Sequence, residues 1–386
     1  MVLFEIIMDS VCENKGLFLP LKDGKRRNDK CVDGGNKKRC AERMKPFLLS
    51  FKLCGMFANK ITEGRLKRCS RPFYIICVFW ISVYVSYTCF LLSNFLRLAH
   101  IQLRTTIDLI KHIIGYTSLS VNVLAAYSSQ NHFGKLFDRL DSYDREAARI
   151  KNERRDNLWI PRIAMLLVTV VNLLLMSVIM HERSTDIALF ATISDICAIC
   201  MHIYGTFEKS LLLYLILIRF KHLNEKIVPK VSWNRKRHGP NTIEISNMQI
   251  MHSMLYDAQR AFSDIYRNPL LLWFANLMIH VLGNVQIFRY KKPLISCAFV
   301  LPSFMQMLTL CTICHYTAEE ANKIGCIING GMTALVNSGH TMKKIEILTY
   351  LLNTRVSFDA AGYFTINLPL FQSIIATITT YFMILI

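Results

Sequence analysis

Acidic residues are few in this chain: 27 Asp and Glu stand against 46 Lys and Arg, and charged residues of both signs make up only 19% of its 386 residues. Soluble domains carry about a quarter, so an ordinary soluble fold is disfavoured before any motif is read. No N-x-Ser/Thr sequon occurs, so the sequence carries no glycosylation mark for an outer loop. No cleavable signal peptide is recognisable, because residues 1–8 are too short an apolar stretch and no basic region precedes them. The first spanning helix is then expected to act as its own insertion signal. The apolar runs lack the alternation that barrel strands need over about ten positions. The 13 cysteines include two C-x-x-C pairs, Cys197/Cys200 and Cys311/Cys314, but neither has a partner pair at zinc spacing. Both lie in apolar helical runs, where Cys acts as a small hydrophobe. A disulfide between Cys89 and Cys297 stays open. No internal repeat of the transporter kind is present. No nucleophile, base and metal-ligand set converges, which speaks against an enzyme and against a metal or cofactor site.

What the chain does have is long apolar runs. Hydrophobic residues make up 52% of it, and its mean hydropathy is +0.30. Inside lipid only helices or closed barrels satisfy their backbone, and each helix needs about twenty residues to cross. The runs place seven spans at 73–96, 105–127, 159–181, 187–214, 269–288, 293–316 and 363–386. Spans 2 and 4 are the most polar. Span 2 carries Asp108, Lys111 and His112, and span 4 carries Asp195, Glu208 and Lys209. The fold class is therefore all-α, a seven-transmembrane helical membrane protein.

The net charge of +19 would suggest nucleic acid in a soluble protein, and Lys25-Arg26-Arg27 and Lys37-Lys38-Arg39 resemble nuclear signals. The same charges have a better explanation as topology determinants. The segment before span 1, and the loops after spans 2, 4 and 6, hold 37 of the 46 basic residues, whereas the three opposite loops hold six. This asymmetry implies a cytoplasmic N-terminus, an extracellular C-terminus and no nucleic-acid partner. The outer loops are short, while the inner ones after spans 4 and 6 reach about forty residues or more. Within 243–267, Ile243, Ile245, Met248, Met251, Met254, Leu255 and Phe262 recur at roughly helical spacing. Spans 4, 5 and 6 are expected to continue into the cytoplasm, with Glu208, Lys209, Glu319 and Glu320 read as part of those extensions. The alternative is a surface helix lying on the membrane. The expected organisation is a basic cytoplasmic segment at 1–72, of which 1–43 reads as added or disordered, and a receptor domain at 73–386. Cytoplasmic anchor regions fall at about 215–268 and 317–358, and a last helix at 362–386.

The C-terminal run FDAAGYFTINLPLFQSIIATITTYFMILI resembles the last helix of insect gustatory receptors, relatives of the insect odorant receptors. That family carries Thr-Tyr, five hydrophobic residues and then Gln-Phe. Here Thr380 and Tyr381 precede Phe382, Met383, Ile384, Leu385 and Ile386, and the sequence stops where Gln-Phe would stand. TAEEANKIGCIINGG from Thr317, LIRFKHLNEKI from Leu217, HSMLYDAQRAFSDIYRNPLLL from His252 and MKPFLLSFKLCGMFA from Met44 resemble other parts of the same family. The resemblance covers about Met44 to Ile386. It implies a ligand-gated, non-selective cation channel in a sensory neuron's plasma membrane, built as a homotetramer or a heterotetramer with related receptors. The seventh helices would line one central pore, and a small-molecule tastant would bind among the outer halves of the first six. Sugar-receptor members tend to carry Glu after the Thr-Tyr pair, and Phe382 speaks against that branch.

The polar residues of the last helix are the pore-lining candidates: Gln372, Ser373, Thr377, Thr379, Thr380 and Tyr381. Gln372 shares a face with Thr379, and Ser373 with Thr380. Ile384 is a candidate dewetting constriction. The competing reading is that these groups bond between packed helices. Ionisable groups inside a membrane usually face a cavity or a partner. Asp108, His112, Asp195 and His280, with Tyr116, Asn172, Asn284 and Gln306 at similar depth, bound a region where a ligand would sit. Each alone also fits a structural contact. A G-protein-coupled receptor is the competing seven-helix class. It needs an outside N-terminus, which the charges oppose, and an Asp-Arg-Tyr end to helix 3, where this chain has Met180-His181.

Overall fold

The computed structural model describes residues 39–62, 64–68, 72–97, 103–152, 159–182, 189–231, 243–288, 293–333, 347, 349–351 and 353–385. Residues 1–38 lie outside that description. Seven long helices follow the expected spans. They are α3 (Pro72–Arg97), α4 (Leu103–Ser128), α6 (Trp159–Glu182), α7 (Leu189–His222), α8 (Ile245–Phe288), α9 (Pro293–Thr333) and α10 (Leu368–Leu385). The other elements are α1 (Cys40–Arg43) and α2 (Lys45–Leu53), which precede α3, then α5 (Gln130–Arg149) between α4 and α6, and two hairpins. One hairpin is β1 (Lys60–Thr62) with β2 (Arg65–Lys67); the other is β3 (Asp359–Ala360) with β4 (Phe364–Thr365).

Helix α3 begins with Pro72, whose missing N–H costs nothing in a first turn. Its outward side presents Tyr74, Ile75, Phe79, Val85 and Leu92, and α6 presents Leu166, Val170, Val171 and Leu174. Apolar surface on this scale, shown by two peripheral helices, suits lipid and not water.

Helices α7, α8 and α9 have 34, 44 and 41 residues. At about 1.5 Å per residue α8 is about 66 Å long, roughly twice a bilayer's hydrocarbon core. Continuous helical extension of spans 4 to 6 is thus what the structure contains. Their far ends, together with α5, form a second packed layer. Helix α5 starts one residue after α4 and buries Phe133, Leu136, Phe137, Leu140, Tyr143 and Ala147 along one face. That face packs on α8, and two cross-links flank it: Arg139 to Asp257 at 2.8 Å and His132 to Asp264 at 3.3 Å.

The interior of this layer is polar as well as apolar. Fully buried Arg219 of α7 donates Nε to Asp144 Oδ1 at 3.0 Å and Nη2 to Asp144 Oδ2 at 2.7 Å. Its Nη1 donates to the Leu215 carbonyl at 2.8 Å. Arg43 reaches the same carboxylate at 3.2 Å, so α1, α5 and α7 meet at one acid. Asp141 accepts the Cys40 backbone N–H at 2.8 Å, capping α1 from another helix. Burial raises the Asp141 carboxyl above its usual range, and the Cys40 bond opposes that rise.

The last helix starts at Leu368, inside the expected 362–386. Asp359 pairs with Thr365 and Ala360 with Phe364 across the hairpin before it, and Gly362 turns it at φ +81°. The Gly362 N–H and Arg267 Nε of α8 both donate to Asp359 Oδ1, at 2.6 and 3.0 Å. Asn367 then caps α10 by accepting the Leu370 N–H at 2.9 Å. Cys311 and Cys314 are buried and free, as their apolar context implied. Cys89 is free as well, so the structure does not contain the Cys89–Cys297 disulfide that the sequence left open.

Candidate functional site

Helices α3, α4, α7 and α8 enclose a column of aromatic and polar side chains. The end of it toward the start of α4 gathers three of the sequence candidates. His112 and Tyr116 are one turn apart on α4, with rings 6.4 Å apart. His280 of α8 faces the same helix, its Nε2 3.7 Å from where a side chain on Gly115 would begin. A glycine there lets α8 come close, and the Asn276 side-chain Oδ1 stands 3.1 Å from the same point. Asp108, Asn172, Asp195 and Asn284 lie outside the residues whose side chains are described.

Tyr116 belongs to a larger aromatic group. Tyr87 meets it edge-on at 5.0 Å, Tyr84 lies tilted against it at 5.9 Å, and Trp80 stacks on Tyr84 at 5.7 Å. All three tyrosines are buried. Edge-to-face pairs of this kind are favourable beyond their area. They line the α3–α4 side with rings and hydroxyls.

Deeper in the bundle, His202 of α7 has Nδ1 2.8 Å from the Ala198 carbonyl, which can only accept. Nδ1 therefore carries the proton, and in the neutral ring Nε2 accepts from the Ser118 hydroxyl at 3.3 Å. The His202 ring lies 4.7 Å from Trp273 of α8. Trp273 Nε1 donates to Thr206 Oγ1 at 3.0 Å, and Thr206 donates to Gln306 Oε1 of α9 at 2.9 Å. Lys209, fully buried, sits over the Trp273 ring at 3.8 Å. It donates to Asn122 Oδ1 at 2.9 Å and to the Gly205 carbonyl at 3.1 Å. The adjacent Glu208 is also buried, with Lys209 and the Tyr266 hydroxyl as its neighbours. From His280 to Tyr266 the column follows 14 residues of α8, about 21 Å.

This corrects the expectation for Glu208 and Lys209. They do not belong to a solvated extension but sit at the centre of the bundle. A Trp face, an amide oxygen and a carbonyl replace water around the ammonium. Their partners come from distant positions, so nothing local in span 4 signals them. His202, Ser118, Thr206 and Trp273 were likewise missed. A buried His two positions after a C-x-x-C, and a lone Trp after a span-opening Pro-Leu-Leu-Leu, were the available hints.

The second candidate element is α10. Phe371 and Ile374 are buried, and Phe371 meets Phe304 of α9 at 5.1 Å. The opposite side is exposed in the single subunit and carries Gln372, Ser373, Ala376, Thr377, Thr379, Thr380 and Met383. At 100° per residue, Gln372, Ala376, Thr379 and Met383 fall within about 60° of one another, flanked by Ser373 and Thr380. Ser373 donates to the Pro369 carbonyl at 3.1 Å, Thr377 to Ser373 at 2.9 Å and Thr380 to Ala376 at 2.9 Å. Each hydroxyl proton is thus committed to the helix's own backbone, which leaves oxygen lone pairs outward. Tyr381 is half-buried. The Ile384 side chain lies outside the described residues.

Comparison with known proteins adds three findings. The profile of the family described as 7tm Chemosensory receptor matches residues 44–386. The chain is similar to the insect olfactory receptor OR5 from Machilis hrabei, solved in complex with eugenol. The TM-score is 0.67 at 13% identity, covering 89% of this chain and 97% of that one. Another structure of OR5 gives 0.67 at 14% identity over the same shares. Comparison with curated proteins gives no match. At such identities the likeness is one of fold.

Proposed function

The chain belongs to the 7tm chemosensory receptor family, and from that premise we propose that it is a gustatory receptor working as a ligand-gated, non-selective cation channel for a small-molecule tastant. It is a multi-pass membrane receptor and not an enzyme. The observation that carries the channel reading is the exposed face of α10. A helix facing lipid gains nothing from Gln372, Ser373, Thr379 and Thr380, whereas a helix facing water and ions does. Hydroxyls with their protons bonded inward present acceptor oxygens, which favours cations over anions. One subunit cannot enclose a pathway, so the reading calls for several copies around a shared axis, four by family resemblance. Homomeric and heteromeric assembly both satisfy it.

The ligand region of this proposal is the outer end of the column, at His112, Tyr116 and His280, with Asp108, Asn172, Asp195 and Asn284 as further candidates. OR5 was solved with eugenol, and an aromatic-walled region with a few polar groups suits a small organic molecule here as well. The hairpin before α10, held to α8 by Arg267 and Asp359, is a route by which movement of α8 would reach the pore helix. The excess of basic residues on one side supports an N-terminus in the cytoplasm and a plasma-membrane receptor facing its ligand outward.

The test is whole-cell recording from cells with surface-expressed chain, against a tastant panel, with G-protein signalling blocked. A ligand-evoked cation current that survives the block is expected. A response abolished by the block would favour the G-protein-coupled class instead.

A further inference from the structure

An open cavity of about 520 Å³ lies between the β1–β2 hairpin and the first half of α5. Its walls carry three cations, Arg68, Lys135 and Arg139, and one acid, Asp138. Arg139 is engaged with Asp257 at 2.8 Å. Arg68 commits only its Nε, to Asn131 Oδ1 at 2.8 Å, so among the described residues its terminal nitrogens are uncommitted. Lys135 forms no ion pair among the described residues, nor do Lys60, Arg65 and Lys67 on the hairpin behind the cavity. Asn59, at 3% exposure, lines the same space. Its Nδ2 donates to the Gln130 carbonyl at 2.9 Å, which ties the chain just before β1 to the start of α5. The positive end of the α5 dipole borders the cavity as well, through Gln130, Asn131 and Gly134.

The cavity's level in the fold is defined by sequence. The apolar stretch of α4 runs over Leu109–Ser128 and stops two residues before Gln130. That of α3 starts at Phe73, five residues after Arg68. Both spans end at the cavity, which puts it at the headgroup layer of one leaflet. On the proposed topology that leaflet is the cytoplasmic one, where anionic lipids are concentrated.

We propose that this cavity binds a multiply phosphorylated inositol group, with the phosphates on Arg68 and Lys135. The guanidinium presents paired donors that match phosphate oxygens, and the lysine adds a point charge. The inference rests on the topology in the functional reading but not on channel activity.

The same chemistry can come from a lipid headgroup or from a soluble inositol phosphate. Full-length chain in detergent is titrated with a fluorescent dioctanoyl phosphatidylinositol bisphosphate, and anisotropy is read. Saturable binding is expected, weakened at least about tenfold in R68Q/K135Q. N131D, an exposed change that places a carboxylate beside Arg68, weakens it too without touching the core. R149Q, whose arginine pairs with Glu146 on its own helix, binds as the parent does. Competition by free inositol trisphosphate at concentrations similar to the lipid's would identify a soluble ligand; competition only by lipid would identify the headgroup. The proposal is overturned if neither binds saturably, or if monodisperse R68Q/K135Q and N131D both bind like the parent. Neither overturning result bears on ligand-evoked current, so the two readings fail separately.

Discussion

Gly205 on α7 offers a sharp test of the packed column. On helix propensity alone, Gly205→Ala should stabilise the chain by about 1 kcal/mol. The structure predicts the reverse. A Cβ at Gly205 would stand 2.5 Å from Trp273 Cη2, 2.9 Å from Cζ2 and 3.3 Å from Met56 Cε. Nothing there is a flexible chain end except the Met56 methyl, so the indole must move. Overpacking of this kind costs about 1–3 kcal/mol. Displacing the ring also strains the Lys209 contact at 3.8 Å and the hydrogen bond to Thr206, worth about 1–2 kcal/mol together. With propensity subtracted, the net loss is about 1–4 kcal/mol. For a chain of this size that lowers the melting midpoint by about 1–5 °C, read by size-exclusion chromatography of heated, detergent-solubilised protein. Trimming the indole in G205A/W273F removes the clashing carbons, so the pair should lose less than the two single changes added together. A midpoint for G205A equal to or above the parent's would refute the packing argument.

Asp144→Asn removes the carboxylate bonded to the buried Arg219, leaving only Asp141 nearby, and should cost up to about 3–5 kcal/mol, seen as reduced yield and an earlier melt; R219M/D144L should recover part of it. His252, bonded to Tyr350 at 3.0 Å and to the Ala321 carbonyl, is held by burial at a pKa of about 4. Because the folded value lies below the unfolded 6.5, this ring's contribution is intact above pH 6.5 and is lost as pH falls from 6.5 toward 4. The loss is about 2 kcal/mol by pH 5. H252N should therefore show a shallower fall in melting midpoint between pH 7.5 and 5 than the parent, and equal slopes would contradict the assignment. Asp359→Ala removes an exposed pair with Arg267 and the bond from the Gly362 N–H, so stability should fall by only about 1–2 kcal/mol. If the hairpin carries motion from α8 to α10, the ligand concentration for half-maximal current will shift nonetheless; an unchanged dose-response would sever that link.

Much of the architecture was legible because lipid imposes simple demands. Apolar runs of about twenty residues mark α3, α6 and α10, and the periodic Ile, Met, Leu and Phe positions of 243–267 announce the extension of α8. Helix α5 was not anticipated, although Phe133, Leu136, Phe137, Leu140 and Tyr143 form a helical stripe. Seven basic residues between Lys135 and Arg155 make that stretch read first as a charged loop, and its partner face on α8 is more than a hundred residues away. The column was half legible. His112, Tyr116 and His280 stand out as polar groups at similar depth. Lys209 does not, because its burial depends on Trp273 and Asn122, 64 residues later and 87 earlier. A charge near the end of a span is normally solvated, and only tertiary contact reverses that expectation.

The central claim is that the outward face of α10 lines a cation pathway. The direct measurement is substituted-cysteine accessibility along that helix, recording current in surface-expressing cells before and after a charged, membrane-impermeant thiol reagent. The account predicts that Q372C, S373C, T379C and T380C lose current on modification, while I374C, on the buried face, does not. Modification that spares the current at all four outward positions would contradict it.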